Sequence, residues 1–82
     1  MIKKKYSFVA LLTYDDGISI DFPDLPGCCP CADTTEDALK NAKEALGLHL
    51  RGMEQDGEAI PNPSSIASLS PAANQVPVLI EI

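Results

Sequence analysis

The sequence predicts an α+β fold in which an antiparallel sheet carries one main helix, in the order β-β-β-α-β. Three observations predict it. Two segments with strand-like alternation flank an Asp-Asp-Gly turn at positions 15–17. A long segment reaching from Ala38 to Met53 repeats its apolar residues at helical spacing. The last segment, residues 76–82, alternates again. At 82 residues the chain is read as one domain, 1–82, with a modest core. Such a chain buries only about 60–65% of its unfolded surface, so a partner or self-association would add stability.

Residues 6–14 open the sheet. Tyr6, Phe8, Ala10, Leu12 and Tyr14 share one face, and Ser7, Val9, Leu11 and Thr13 the other. Both faces are partly apolar, which fits a central strand covered on each side, or a subunit contact. Asp15, Asp16 and Gly17 form the hairpin turn, with Gly17 supplying the positive φ. In residues 18–22, Ile18, Ile20 and Phe22 point one way and Ser19 and Asp21 the other, as in a half-buried antiparallel strand. Pro23 closes that strand. Pro26 and Gly27 form a second turn of type II. Residues 28–32 read as a short third strand, with Pro30 at an edge because it has no amide to donate.

Asp33 and Thr34 begin the helix. Each precedes an acid by three residues (Glu36 and Asp37), so either fits the N-cap. Ala38, Leu39, Ala42, Ala45, Leu46, His49, Leu50 and Met53 make a broad apolar stripe. Gly47 is a weak point, costing about 1 kcal/mol against alanine. Gly57 is a natural residue to end the helix. Residues 60–64 read as an extended exit and 65–75 as a loop with one short helical turn. Pro77, near the start of the final strand, favours an edge or a strand beginning.

The formal charge is −6, from six basic and twelve acidic residues. Lys3, Lys4 and Lys5 hold half of the cations, leaving Lys40, Lys43 and Arg51 to face every acid in the chain. An acidic body repels the phosphate backbone, so direct nucleic acid binding is not expected. It suits a basic protein partner, and it also suits plain solubility. No apolar run approaches the roughly 20 residues of a membrane span. The start of the chain does not read as a signal peptide, so a cytoplasmic location is expected.

Cys28, Cys29 and Cys31 are the only cysteines. An odd number in so short a run does not make a secreted disulfide framework. Cys28 and Cys31 are spaced as a redox or metal pair. The helix start lies a few residues away, and His49 is the one distant candidate ligand, so buried, neutral thiols are the favoured reading. Asp15, Asp16, Asp21 and Asp24 could bind a divalent ion, but turn geometry explains Asp15, Asp16 and Asp24 better. No serine is set as a nucleophile and no glycine-rich phosphate loop is present. The residues therefore offer no catalytic site and no cofactor, and binding is the expected role.

Over residues 6–50 the chain resembles the HicB-like antitoxin domain of bacterial and archaeal toxin–antitoxin pairs. The residues that carry the resemblance are Phe22, Pro23, Asp24, Leu25, Pro26, Gly27 and Cys28, then Asp33 and Thr34, then Glu36, Ala38, Asn41, Ala42, Ala45 and Leu46. Ile60, Pro61, Pro63 and Ser64 match the family's exit from the helix. The resemblance implies a partial ribonuclease-H-like fold without nuclease activity. It implies binding to a small basic HicA-like toxin that cleaves mRNA, whose catalytic and RNA-binding face the antitoxin would cover. Asp21, Asp24, Asp33, Glu36 and Glu44 are the expected acidic contacts, with Pro23, Pro26, Gly27 and Thr34 shaping the turns and cap. Many family members add a C-terminal DNA-binding segment, which is not expected here. Ala32 stands where the family usually has glycine, and Cys29, Pro30 and Cys31 are not family features. The alternatives are a self-associating HicB-like domain, such as a homodimer, and a thiol or metal module built on Cys28 and Cys31.

Overall fold

The computed structural model describes residues 6–82. Lys3, Lys4 and Lys5 lie outside the described residues. Four strands form an antiparallel sheet in the order β3-β2-β1-β4: β1 (Ser7–Tyr14), β2 (Ile18–Asp21), β3 (Cys31–Ala32) and β4 (Gln75–Glu81). Helix α1 (Thr35–Asp56) lies across one face, and a 3₁₀ turn at Ile66–Ser68 interrupts the long connection to β4.

The alternation read in the sequence sets which face is buried. Phe8, Ala10 and Leu12 of β1, Ile18 and Ile20 of β2, and Ile80 of β4 meet Ala38, Ala42, Leu46 and Leu50 of α1 in one apolar cluster. Phe22, Leu25 and Cys28, from the turns after β2, complete it. The small Ala38 and Ala42 are fully buried and let the helix approach the sheet closely. Val9 is also buried but belongs to the opposite face, where it pairs with Leu79. The two-sided apolar character of β1 thus reflects its inner position between β2 and β4.

Two turns in succession lead from β2 to β3. The Leu25 amide donates to the Phe22 carbonyl at 2.9 Å, and the Cys28 amide to the Leu25 carbonyl at 3.1 Å. Pro23 and Pro26 occupy the second position of each, where a fixed φ is an advantage. Gly27 follows at φ 92°, as a type II turn requires.

Three features differ from the sequence expectation. The third strand shrinks from 28–32 to Cys31–Ala32, because Cys28 turns inward to the core. Pro30 still contributes, its carbonyl accepting from the Ile20 amide at 2.9 Å. The second strand ends at Asp21, since Phe22 enters the first turn. The helix stripe is narrower than read: Leu39 is 39% exposed, while Ala45, His49 and Met53 are half-buried at its margin.

The choice of cap is settled in favour of Thr34. Its side-chain oxygen accepts from the Asp37 amide at 3.1 Å, and its backbone is extended. The far end closes on Gly57 at φ 72°. There the Gly57 amide reaches the Glu54 carbonyl and the Glu58 amide the Met53 carbonyl, the paired bonds of a Schellman motif.

Candidate partner-binding surface

The hairpin after β1 and the N-terminus of α1 come together at one end of the molecule. Tyr14 at the hairpin's base shares a 2.8 Å hydroxyl hydrogen bond with Thr35 at the start of the helix. Further along the helix, Asn41 donates to the Cys31 carbonyl at 3.0 Å and ties α1 to the short edge strand. The hairpin tip holds two consecutive left-handed residues, Asp16 at φ 53° and Gly17 at φ 109°. Aspartate is among the few side chains that accept this region readily. The sequence reading assigned the positive φ to Gly17 alone.

Two shallow clefts flank this hairpin. One, of about 410 Å³, is lined by Asp16, Asp33, Asp37 and Asn41 together with residues of β2 and β3. The other, of about 470 Å³, is lined by Tyr14, Asp15, Asp16, Asp33, Thr34 and Thr35. Asp15, Asp16, Asp33 and Asp37 thus converge, all exposed, and no basic residue lines either cleft. Glu36 adds a further carboxylate in the first turn of α1. The positive end of the helix dipole eases the repulsion among them. Chemically this surface is a multi-carboxylate face ready to meet Lys or Arg side chains.

The five acids expected from the sequence do not share a surface. Asp33 and Glu36 belong to the acidic end. Asp21 sits exposed at the end of β2 opposite Leu11, on the sheet face away from the helix. Glu44 lines a groove on the flank of α1 with Lys40, Lys43 and Arg51. Asp24 is engaged within the fold, where its two carboxylate oxygens accept from the Ser64 amide at 2.7 Å and the Ser64 hydroxyl at 2.6 Å. Asp15, Asp16 and Asp37 share this end with Asp33 but were not among the contacts expected from the sequence. Each had a sufficient local role as turn or cap residue, and only tertiary proximity to Asp33 gathers them.

The cysteines separate. Cys28 is buried in the core, Cys29 and Cys31 are exposed, and all three are free thiols. Burial pushes the Cys28 thiol up to about 11, with neighbouring Cys29 and Asp21 adding to the effect. It therefore stays protonated at neutral pH, the wrong form for a nucleophile or a metal ligand. His49 lines a shallow cavity of about 440 Å³ with Cys28 and Cys29, whereas Cys31 lines the acidic cleft. Cys28 and Cys31 are thus not assembled into one site. Among the described residues no group of three or more His, Cys, Asp or Glu side chains is arranged to hold a metal ion. No helix among them is long and apolar enough to cross a membrane.

Sheet order, helix and turns make an α+β domain in which a four-stranded antiparallel sheet carries one helix, the fold of HicB antitoxin domains. Residues 8–81 match the family model described as the HicB-like antitoxin of bacterial toxin–antitoxin systems. The chain belongs to that family. It is 42% identical over 52 residues to an uncharacterized 14.9 kDa protein in the rep-hol intergenic region of Haemophilus phage HP1, covering 63% of this chain and 39% of the phage protein. It is 32% identical over 57 residues to the UPF0150 protein Ta0767 of Thermoplasma acidophilum, covering 70% of this chain and 83% of that protein. Among solved structures, a toxin–antitoxin complex from Streptococcus pneumoniae superposes with a TM-score of 0.86 at 21% identity, covering 95% of this chain and 69% of the matched one. The N-terminal domain of the Burkholderia pseudomallei antitoxin HicB gives 0.77 at 26% identity, covering 92% and 95%. A HicA3–HicB3 toxin–antitoxin complex gives 0.76 at 21% identity, with the same coverage.

Proposed function

We propose that this chain acts by binding alone, as a single HicB-like domain that neutralises a small basic HicA-like mRNA-cleaving toxin in the cytoplasm. It would cover the toxin's RNA-binding and catalytic face. The observation that carries the reading is the convergence of Asp15, Asp16, Asp33 and Asp37 on one exposed end with no lining cation. A toxin surface that grips RNA must be basic. An acidic surface set against it speeds encounter and occupies the charges that phosphate would use. The complexes formed by the structural relatives support the choice of a toxin as partner.

The test is an RNA-cleavage assay with a HicA-like toxin encoded beside this chain. Excess chain should abolish cleavage, and the combined Asp16→Lys and Asp37→Lys variant should bind the toxin at least about tenfold more weakly. Raising the salt should weaken the wild-type complex too. Full-strength cleavage in the presence of excess folded chain would sink the proposal.

A second reading, self-association, has its own observation. The Tyr14 amide donates to the Asn74 carbonyl and the Ile82 amide to the Tyr6 carbonyl, so the even-numbered residues of β4 direct their backbone groups to β1. Pro77, Leu79 and Glu81 then turn their backbone groups outward along an unpaired sheet edge, and Leu79 remains 48% exposed. Such an edge accepts another strand. Sedimentation showing only an 8.7 kDa monomer at high concentration would remove this reading.

A further inference from the structure

Lys40, Lys43 and Arg51 are the only Lys or Arg residues among those described, and all three line one groove. Its volume is about 590 Å³, and its remaining lining is Glu44, Gly47, Leu48 and Ile82. It lies between the outer flank of α1 and the residue that follows β4. Five carboxylates gather at the hairpin end, while the three described cations line this groove, which Glu44 shares. In sequence, Lys3, Lys4 and Lys5 directly precede Tyr6, whose carbonyl accepts from the Ile82 amide at 3.0 Å.

The floor of the groove is apolar and open. Leu48 is 66% exposed, the most exposed large hydrophobic residue among those described. Gly47 stands mid-helix, where glycine costs about 1 kcal/mol against alanine. Internal packing does not require it, because a Cβ there would meet nothing within 4 Å. The missing side chain leaves this stretch of the groove lining bare beside the lysines. Gly52 is equally unhindered but does not line the groove, which makes it a matched control.

We propose that this groove docks an acidic protein segment carrying a large aliphatic or aromatic anchor. The segment's carboxylates would pair with Lys40, Lys43 and Arg51 while the anchor covers Gly47, Leu48 and Ile82. Charge complementarity selects this occupant. A basic toxin seated at the acidic end is repelled from the groove, so the groove serves a second partner. A nucleic acid strand would meet eleven acids over the rest of the body, with Glu44 in the groove itself, and no aromatic platform there.

The test uses the full chain and a fluorescein-labelled peptide of alternating Asp, Glu, Leu and Phe, with a Ser/Asn peptide of equal length as control. Fluorescence anisotropy should give binding to the acidic peptide that weakens about tenfold between about 50 mM and 300 mM salt. The combined Lys40→Glu and Lys43→Glu variant should lose at least about tenfold in affinity. Gly47→Leu should lose about as much by filling the floor, while Gly52→Leu leaves binding unchanged. Circular dichroism on each variant reports that the fold is kept. The charge-reversed variant should still block RNA cleavage by the toxin, which separates this inference from the antitoxin reading. Three results would overturn it: equal binding of the control peptide, tighter binding of an oligothymidylate than of the acidic peptide, or groove variants that alter only the sedimentation of the chain with itself.

Discussion

Asp24, expected as a partner contact, has a structural role within the fold. Both of its oxygens hold Ser64, forty residues further along, and so fasten the exit after the helix to the turns before it. Asp24→Ala should destabilise the fold by about 1.5–3 kcal/mol, because two hydrogen bonds to a charged, part-buried carboxylate are lost. Ser64→Ala keeps the amide bond and should cost about 1 kcal/mol. Urea denaturation of both variants and of the pair measures the coupling. Cys28 makes a second residue-scale case. Its thiol, pushed from 9.0 to about 11 by burial, holds its proton more tightly in the folded chain than in the unfolded one. Stability from this group is complete below pH 9 and declines as pH rises through 11. Wild type should therefore lose more stability than Cys28→Ala across that window in pH-dependent melting. Iodoacetamide at neutral pH should label Cys29 and Cys31 and leave Cys28 protected until the chain unfolds.

Helix α1 owes its boundaries to two residues with separate physics. Thr34 supplies an acceptor to an amide that has no partner within the helix, and Gly57 adopts a left-handed conformation that closes the last carbonyls. Thr34→Ala should cost about 1 kcal/mol, and Asp33→Ala a few tenths, since Asp33 does not cap. Gly57→Ala should cost about 1 kcal/mol through backbone strain at positive φ. Thermal melts of the three variants order these effects. The Gly57 end was legible in the sequence and the other end to within Asp33 or Thr34, because caps are local chemistry. The third strand was not: alternation alone could not tell that Cys28 would leave the ladder to join Leu25 in the core.

For the molecule as a whole, one small core binds sheet to helix. Leu46 is fully buried among residues from the strands, the turns and the helix. Leu46→Ala should cost about 2–5 kcal/mol. A domain of this size has on the order of 5 kcal/mol in total, so the variant should be largely unfolded well below the wild-type melting temperature in a calorimetric scan. The surface is organised at the same scale. Carboxylates from the hairpin and the helix start gather at one end, and the described cations gather on the flank of the same helix. The net charge of −6 hid this separation.

Strand alternation, turn residues and helix caps act between residues close in the chain, so the sequence alone determined the element order, the buried face of the helix and of β1, β2 and β4, and the family. Pro23 through Gly27, a cap at Asp33 or Thr34, and the alanine-rich stripe were readable from neighbours. The tertiary structure alone decided which acids share a surface, that Asp24 is spent on Ser64, and that three cations and a glycine make one groove. Those facts depend on which residues meet after packing. A local rule that already explains Asp15, Asp16 or Asp37 as a turn or cap residue carries no record of what the fold later sets beside it.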